Sequence, residues 1–298
     1  MRIATYSHGN SAPRAGLVVD DGVIDIQRAS DGSLPASVLE LLNTPNWHGL
    51  LHQDVAGGSI HHRTAEVRLL TPIARPGKIL AAAGNYQAHI DEGGGTKVDV
   101  SVRTPRIFMK PATSLVGPDD PLVLPTISAQ VDWEMELAIV IGRPGRDIEE
   151  SEALDHVAGY TIMNDVSARS MEWGVENREV HAWDGFFDWL VGKWIDGFAP
   201  TGPWIVTTDE IPDPQDLQLT FDLNGERWQD ASTGGMIFDC AELISFASRI
   251  MTLEPGDMIA TGTPAGVGVA TGRFLQAGDE MVGEISGIGR LRTPVAAR

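Results

Sequence analysis

The chain has 298 residues, of which 42% are hydrophobic and 21% charged, and its formal net charge at pH 7 is −19. This composition is typical of a folded globular protein, and the charge argues against nucleic-acid binding, which needs a basic surface. No apolar run approaches the roughly 20 residues of a membrane-spanning helix, and residues 1–8 lack the apolar core of a signal peptide. Its single cysteine, Cys240, excludes an internal disulfide and a cysteine-rich metal site. We therefore expect a cytoplasmic protein that binds neither nucleic acid nor membrane.

The first 70 residues are predicted to form a small N-terminal α/β domain. Residues 16–26 indicate a β-hairpin, because two apolar runs flank an Asp-Gly pair. Residues 35–52 have apolar positions at helical spacing. The turn-rich stretch 71–78 then opens a larger domain, which we expect to span residues 71–298.

Short apolar stretches separated by turns dominate this larger domain. Strands are expected within residues 79–84, 107–111, 132–142, 159–169, 217–229 and 278–285, and helices within residues 85–92 and 238–250. The second helix contains Cys240, which we expect to pack in the core. Many short strands with few helices predict a mostly β fold with some helix (α+β), built on a rolled or barrel-like sheet.

The predicted strand 132–142 carries an unusual pair of carboxylates. Side chains alternate along a strand, so Glu134 and Glu136 point the same way, and Asp132 shares their face. Two neighbouring carboxylates repel each other, and burying them is costly unless a cation compensates. The alternative is an exposed strand face on which all three acids are solvated.

Asp165 is a third carboxylate, placed where the predicted strand 159–169 runs into a polar turn. An aspartate there can be a plain turn residue. Three carboxylates without a histidine or thiol partner would instead form a hard-oxygen site, suited to Mg²⁺, Mn²⁺ or Ca²⁺ rather than Zn²⁺. Three protein ligands would leave about three octahedral positions for water and substrate.

Six segments resemble motifs of the fumarylacetoacetate hydrolase family, in the order in which that family has them. They are residues 132–136 (Asp-Trp-Glu-Met-Glu), 164–169, 192–193, 202–204, 253–257 and 262–268. Each motif alone is weak, but the ordered set, spread over about residues 75–290, is specific. The first 70 residues resemble the small N-terminal domain of many bacterial members, and the chain as a whole is similar to acylpyruvase-like members.

The resemblance implies a mixed β-roll catalytic fold and a metal ion held by Glu134, Glu136 and Asp165. The implied metal is Mg²⁺ or Mn²⁺, which Ca²⁺ can replace in crystals. The implied substrate is a small anionic 2-oxo acid or a 1,3-diketone, bound to the metal through adjacent carboxylate and keto oxygens. Members of the family are usually homodimers, so a homodimer is expected here.

The same resemblance implies four residues around the substrate. Arg169 and Lys193 match positions that contact it, and Thr263 matches a contact to its carboxylate. Lys110 matches a lysine near the site, and we count it among the candidate catalytic residues.

His89 and Glu92 match a catalytic pair that the family carries on a mobile lid. Their spacing places them on one helical face, where the carboxylate would raise the basicity of the imidazole. A histidine in a polar segment is more often a plain surface residue. The three glycines at 93–95 and the family match favour a base on a hinged lid.

Two features depart from the family pattern. The family often has glutamine three residues beyond the motif arginine, where this chain has Glu172, which when ionised can only accept hydrogen bonds. Glu172 is therefore expected to contact a substrate hydroxyl or to pair with a cation. Asp165 and Lys193 are also 28 positions apart, so the aromatic segment between them is unusually long. We expect this segment to border the pocket or the dimer interface, with His181 in a structural role.

We predict a metal-dependent enzyme that hydrolyses a C–C bond in an acylpyruvate-like or 2,4-diketo acid, with water activated by His89 and Glu92. Decarboxylation of an oxaloacetate-type acid, hydration and isomerisation of a 2-oxo-enoic acid remain alternatives, because all begin by stabilising an enolate. A non-catalytic, metal-stabilised binding protein is the alternative from another class. The glycine-rich stretch 262–268 has no following Lys-Ser/Thr pair, which argues against a nucleotide-binding P-loop.

Overall fold

The computed structural model describes residues 1–298 and contains nineteen strands. The strands are β1 Arg2–His8, β2 Arg14–Val19, β3 Gly22–Asp25, β4 His62–Arg63, β5 Val67–Leu70, β6 Ile79–Ala82, β7 Ile107–Lys110, β8 Leu115–Val116, β9 Leu122–Val123, β10 Val131–Asp132, β11 Met135–Ile141, β12 Val157–Asn164, β13 Ser167–Ala168, β14 Ala199–Thr207, β15 Gln218–Leu223, β16 Glu226–Ser232, β17 Met258–Ala260, β18 Glu280–Ile285 and β19 Gly289–Ala296.

Helices are few and short. The α-helices are α1 Ile26–Ala29, α2 Val38–Leu42, α3 Trp47–Asp54, α4 Gln87–Glu92, α5 Asp184–Val191 and α6 Cys240–Ile250. The 3₁₀ helices are Thr64–Glu66, Val100–Val102, Ala112–Ser114, Glu150–His156, Thr233–Gly235 and Gly268–Ala270. None of the helices is long and apolar enough to cross a membrane. The predicted mostly β fold with some helix is confirmed.

One large mixed sheet organises the molecule. Its strands run in the order β4-β3-β2-β1-β14-β12-β11-β17-β6-β7, with β5 also paired to β1 and β8 to β14. The pairs β17–β6 and β14–β8 are parallel, and the other pairs of this sheet are antiparallel. A five-stranded sheet, β16-β15-β18-β19-β9, and the two-stranded β10–β13 complete the fold.

The N-terminal strands continue the large sheet instead of forming one of their own. Strand β1 pairs with β2 on one side and with β14 on the other. Ile3 and Leu17 pack in the same apolar cluster as Ala138 of β11 and Ile205 of β14. The domain boundary near residue 70 therefore stays a prediction, and the two parts share a sheet and a core.

Strand β11 lies between β12 and β17, and all of its residues are buried. Its side chains alternate between two cores: Leu137 and Ile139 enter one apolar cluster, and Ala138 and Val140 enter the other. A strand covered on both faces reads as a continuous apolar run. Glu136 is thus an ionisable group at the beginning of a strand that is buried along its whole length.

The structure divides two elements that the sequence predicted to be continuous. Residues 132–142 do not form one strand, because the chain leaves β10, crosses Trp133 and Glu134, and enters the large sheet at Met135. The side chain of Asn164 accepts the N–H of Glu134 at 2.8 Å and replaces a ladder bond there. The predicted helix within residues 35–52 is also divided.

The division of that helix has a local cause. Helix α2 ends at Leu42 and α3 begins at Trp47. Between them, Pro45 lacks a backbone donor and Asn46 adopts a positive φ of 54°, so a continuous helix cannot form. The predicted helix within 238–250 begins at Cys240, where Asp239 and Glu242 form a capping box, and Cys240 is buried as expected.

Candidate active site

Three carboxylates meet where β10, β11 and β12 come together. Glu134 lies in the gap between β10 and β11, Glu136 is the second residue of β11, and Asp165 follows the last residue of β12. All three are buried, and each offers an oxygen within 4.8 Å of the others. The interpretation of Glu134 and Glu136 as solvated surface acids is therefore wrong.

Two buried lysines hold this cluster. The ammonium of Lys193 donates to Glu134 Oε2 and to Asp165 Oδ2, both at 2.7 Å. The ammonium of Lys110 donates to Asp165 Oδ1 and to the backbone oxygen of Lys193, both at 2.6 Å. Burial lowers the pKa of Lys110, against the opposing charge of Asp165. Lys110 thus positions Asp165 and Lys193.

Arg169 reaches the cluster from the other side. Its guanidinium donates to Asp132 Oδ2 at 2.9 Å and to Glu134 Oε1 at 2.5 Å. Asp132 also accepts the backbone N–H groups of Gly268 at 2.7 Å and Val269 at 3.1 Å. Asp132, to which the sequence assigned no role, therefore anchors Arg169 against the glycine-rich loop.

The charges of the cluster are not balanced. Four carboxylates face three cations, and Glu136 carries the excess: its Oε2 accepts the N–H of Gly262 at 2.6 Å, while its buried Oε1 has no hydrogen-bond partner. Burial and the charges of Asp165 and Glu134 raise the pKa of Glu136 well above its usual value. Burial opposes the ionisation of Glu134 as well, but Lys193 and Arg169 outweigh it and lower that pKa.

An unpartnered buried oxygen beside two further carboxylates fits a divalent cation of the hard type. The donors are all oxygens, which Mg²⁺ and Mn²⁺ prefer, and no histidine or thiol accompanies them. A double positive charge would also convert the negative excess into a positive one that an anionic ligand could neutralise. The structure therefore brings together the three residues that the sequence predicted as metal ligands, and their role as ligands stays a prediction.

His89 and Glu92 form a pair near the cluster, and His89 lines a cavity together with Glu134. Both lie on α4, and His89 Nδ1 is 2.7 Å from Glu92 Oε1. The other oxygen of Glu92 accepts the N–H of Gly266 at 2.9 Å, which holds α4 against the glycine-rich loop. The predicted histidine–glutamate pair is thus a real contact.

The cavity has a volume of about 240 Å³. It is lined by Ala82, Ala83, Gly84, His89, Arg106, Glu134, Arg169, Trp189, Lys193 and Thr263. The Thr263 hydroxyl donates to the backbone oxygen of Met135 at 3.0 Å and accepts from Gln229 at 2.7 Å. Its contact with a substrate stays a prediction, as do those of Arg169 and Lys193.

Glu172 does not line this cavity. It is exposed, and its backbone N–H donates to the oxygen of Ile127 at 2.7 Å, so its predicted substrate contact has no support from this geometry. The long segment that follows does reach the cavity, because Trp189 of α5 lines it. His181 is exposed, and its N–H bonds to Asp184 at 2.6 Å.

Sequence reasoning missed two residues of the cavity, Arg106 and Trp189. Each stands outside the motifs and is far along the chain from the carboxylates. The only available signal for Trp189 was the aromatic content of its segment. Arg106 comes shortly before Lys110 at the start of a strand, and no pattern distinguishes it.

Comparison with known proteins gives one consistent result. A family model described as fumarylacetoacetate (FAA) hydrolase C-terminal matches residues 78–296. The oxaloacetate tautomerase fahd2, mitochondrial, of Xenopus laevis is 40% identical over 302 residues, covering 99% of this chain and 90% of the relative.

Solved structures agree over the full length of the chain. Maleylpyruvate hydrolase from Sphingobium sp. SYK-6, in complex with manganese(II) ion and pyruvate, superposes with a TM-score of 0.78 at 30% identity, covering 100% of this chain and 99% of the other. The 2-hydroxyhepta-2,4-diene-1,7-dioate isomerase of Mycobacterium marinum does so with a TM-score of 0.72 at 32% identity, with the same coverage. Given the match of the family model to most of its length, the chain belongs to the fumarylacetoacetate hydrolase family.

Proposed function

We propose that this chain is a divalent-metal-dependent hydrolase of a C–C bond in an acylpyruvate-like or other 2,4-diketo acid. The observation that carries the proposal is one cavity lined by both Glu134, a member of the undercompensated carboxylate cluster, and His89, which is paired with Glu92. In the reaction, water adds to the 4-keto carbon and the bond between C3 and C4 breaks. An acylpyruvate and water thereby give a carboxylate, pyruvate and a proton.

Glu134, Glu136 and Asp165 would hold the metal, which we propose to be Mg²⁺ or Mn²⁺. When bound, it would polarise the 2-keto oxygen and stabilise the negative charge that develops there. The unpartnered oxygen of Glu136 supports this assignment. The manganese and pyruvate in the structure of the Sphingobium relative support it as well.

His89 is the proposed general base. Its Nδ1 is engaged by Glu92, so in the neutral ring the other nitrogen is free to accept a proton from water. Glu92 then stabilises the imidazolium, and the N–H of Gly266 fixes the orientation of Glu92. The same histidine can return the proton to C3 of the departing pyruvate.

Lys193 and Arg169 supply positive charge to the cavity wall, where the substrate carboxylate would bind. Both also bind Glu134, so their ammonium and guanidinium groups are fixed before substrate arrives. Fixed donors of this kind lose little freedom on binding. We propose Thr263 as a third contact to the carboxylate. We propose a contact between Glu172 and the substrate only for a conformation in which the segment around Glu172 lies closer to the cavity.

Keto–enol tautomerisation of oxaloacetate is a second candidate. It is favoured by the 40% identity to the Xenopus laevis oxaloacetate tautomerase. The reaction moves a proton between C3 and the 2-keto oxygen, which a single base in the position of His89 can do. Decarboxylation and isomerisation of 2-oxo-enoic acids need the same enolate. A non-catalytic binding protein would need no histidine–glutamate pair at its cavity.

A substrate panel with product identification by NMR tests the proposal. Acetylpyruvate, oxaloacetate and a 2-oxo-enoic acid are incubated with the purified protein, with Mg²⁺ or Mn²⁺ and after chelation. We expect acetate and pyruvate from acetylpyruvate, loss of turnover with the chelator, and recovery with either metal. Full turnover without metal would refute the metal-dependent mechanism, and tautomerisation of oxaloacetate without acylpyruvate cleavage would establish the second candidate.

The variant His89→Ala separates catalysis from metal binding. Losing a general base lowers kcat by about 10²–10⁴-fold, while calorimetric titration with Mn²⁺ should show unchanged affinity. Unchanged turnover in this variant would place the base elsewhere.

We also propose a homodimer and a cytoplasmic location. Several aromatic side chains of residues 173–194 are exposed, which supports an interface between copies. The single cysteine, free and buried, is compatible with a reducing compartment. Fractionation of cells that express the chain, with marker enzymes, checks the location.

A further inference from the structure

A group of side chains of the metal-ligand type lies on the surface, where helix α3 meets the end of strand β14. His48 and His52 are four positions apart on α3, a spacing that places both imidazoles on one face of the helix. Asp209 follows the end of β14 and lies 161 positions after His48. Each of the three offers one ligand atom within 4.8 Å of the others. The fold thus brings two nitrogen donors and one oxygen donor together from distant parts of the chain.

The distances within this group suit a bridging ion. Oδ1 of Asp209 lies 3.3 Å from Nε2 of His48, and Oδ2 lies 3.8 Å from Nε2 of His52, which is too long for a hydrogen bond. Two donors that bind one Zn²⁺ at about 2.0–2.1 Å in tetrahedral geometry are about 3.3–3.4 Å apart. A small rotation of the His52 side chain, which is 53% exposed, would bring its nitrogen within the same range.

The carboxylate of Asp209 is held in place on one side and open on the other. Its Oδ1 accepts the hydroxyl of Thr207 and lies 3.5 Å from the amino group of Met1, which is closer to Glu210 at 2.9 Å. Its Oδ2 accepts no hydrogen bond from the protein and faces the imidazole of His52. One oxygen therefore orients the carboxylate, and the other is available to a ligand.

The donors differ in kind from those of the carboxylate cluster. Two imidazole nitrogens and one carboxylate suit a divalent ion such as Zn²⁺, whereas three carboxylates suit Mg²⁺ or Mn²⁺. His48 and Thr208 also line a cavity of about 650 Å³, so there is space beside the group for waters that complete the coordination. The net charge of −19 attracts cations to the chain as a whole.

We propose that His48, His52 and Asp209 bind a divalent ion of the Zn²⁺ type, which joins α3 to the end of β14. The inference goes beyond the proposed function and does not depend on it, because none of the three residues lines the cavity that contains His89 and Glu134. An ion that binds only the folded arrangement stabilises the folded state. The ion therefore stabilises the contact between the N-terminal part of the chain and the sheet that carries the carboxylate cluster.

Calorimetric titration with Zn²⁺ tests this inference. The parent protein for the test is Glu136→Gln, in which the carboxylate cluster lacks one ligand, so that the heat reports on the surface group. We expect the parent to bind one equivalent of Zn²⁺. His48→Gln/His52→Gln and, separately, Asp209→Asn should each weaken this binding at least about tenfold, because losing a ligand costs no less than losing one of its outer partners.

Two further measurements show where the ion binds and whether the variants fold. X-ray absorption at the zinc edge of the loaded parent should show scattering from two imidazoles, and a shell of oxygen ligands alone would overturn the inference. Without Zn²⁺, His48→Gln/His52→Gln should melt at the temperature of the parent, since the two side chains are 40% and 53% exposed. With Zn²⁺, the Tm of the parent should rise by a few degrees and that of the variant should not.

His8→Gln/His181→Gln is the matched control, because it removes as many imidazoles, both of them exposed, from outside the group. Its affinity for Zn²⁺ and its Tm shift should equal those of the parent. An equal loss of zinc binding in the two double variants would mean that scattered surface histidines bind the ion, and this would overturn the inference. A parent that binds no Zn²⁺, or binding that no substitution weakens, would overturn it as well. None of these outcomes bears on the proposed function, which the substrate panel tests separately.

Discussion

At the scale of single residues, Glu136 is expected to lower the stability of the metal-free protein and to favour metal binding. Its side chain is 0% exposed, one of its oxygens has no partner, and Asp165 and Glu134 are its charged neighbours. Without a cation, the ionised form is destabilised both by the loss of hydration and by repulsion from these neighbours. An enzyme needs such a site because a ligand set whose charge is already compensated has little affinity for a metal.

We predict that Glu136→Gln stabilises the metal-free protein and abolishes metal binding by the carboxylate cluster. The folded pKa of Glu136 lies above its unfolded value, so the folded state retains a proton that the unfolded state releases. The contribution of Glu136 to the stability of the metal-free wild type is therefore fully present below its unfolded pKa, about 4.3. This contribution decreases as the pH rises toward the folded pKa. The variant lacks this decrease. At pH 8 in the presence of a chelator, the free energy of unfolding of the variant should exceed that of wild type by about 1–3 kcal/mol, which raises its Tm by a few degrees. Near pH 4 the two Tm values should match.

Glu134→Gln serves as the control with the opposite sign. Glu134 accepts from Lys193 and Arg169, and these charges lower its pKa against burial. Its stabilising contribution is present above the unfolded pKa and is lost as pH falls through the folded one. The substitution should lower the Tm of the metal-free protein at neutral pH. A shift of both variants in the same direction would contradict the charge balance described here.

The metal ligands could be predicted from the sequence, whereas the role of Asp132 could not. Glu134 and Glu136 stand out because carboxylates two positions apart interrupt an apolar stretch, and Asp165 follows a strand of similar character. Asp132 stands in the same pattern, but its partner Arg169 is 37 positions away and its backbone donors are 136 and 137 positions away. Only the folded chain brings these groups together.

At the scale of elements, α4 and the loop after it carry His89 and form the predicted lid. Helix α4 has six residues and ends at Gly93, and Gly94 adopts a positive φ of 75° with no atom near its missing side chain. Gly95 differs, because a Cβ there would lie 2.4 Å from Ile90 Cγ2. A helix this short depends on its contacts, here the bond from Gly266 to Glu92.

We predict that Gly94→Ala impairs catalysis by straining this lid. The left-handed conformation costs an alanine about 1–2 kcal/mol, so the docked lid becomes less favourable and kcat/KM should fall by roughly five- to thirtyfold. Hydrogen exchange of residues 87–98 should become faster. Gly32→Ala is the control, since Gly32 has a φ of 84° and equally open surroundings but lies far along the chain from the cavity. An equal loss of activity in both variants would mean that the lid is not responsible.

The predicted strand 132–142 is divided because its two ends pair with different strands. Residues 132–142 have the composition of a single strand, but pairing with β13 holds one end and pairing with β12 and β17 holds the other. The break turns Glu134 toward Lys193 and Arg169. Alternation correctly predicted that Glu134 and Glu136 lie close together, and it could not predict the break, which depends on Asn164, 30 positions away.

At the scale of the whole molecule, positive charge is concentrated where substrate would bind. Four of the 22 lysines and arginines, Arg106, Lys110, Arg169 and Lys193, border the cavity or the carboxylate cluster. The chain has 41 acidic residues against 22 lysines and arginines, so these cations are what would attract an anionic substrate. A net charge of −19 makes such a local concentration necessary for binding an anion. Its location could not be predicted, because Arg106, Arg169 and Lys193 lie far apart along the chain and only the folded chain brings them to one cavity.

We predict that the aromatic face of α5 lies in a homodimer interface. Trp183, Phe186 and Phe187 are 71%, 52% and 55% exposed; Trp183 is the N-cap of α5, and the two phenylalanines lie on the helix with their rings 5.8 Å apart. Contiguous apolar surface of this kind is rare on a monomer. Sedimentation velocity should show a dimer for the wild type, and Phe186→Asp/Phe187→Asp should dissociate it, because two carboxylates would have to be buried without partners. Ile250→Asp, at a position 55% exposed at the end of α6, should remain dimeric. A monomeric wild type, or two variants that dimerise alike, would exclude this face as the interface.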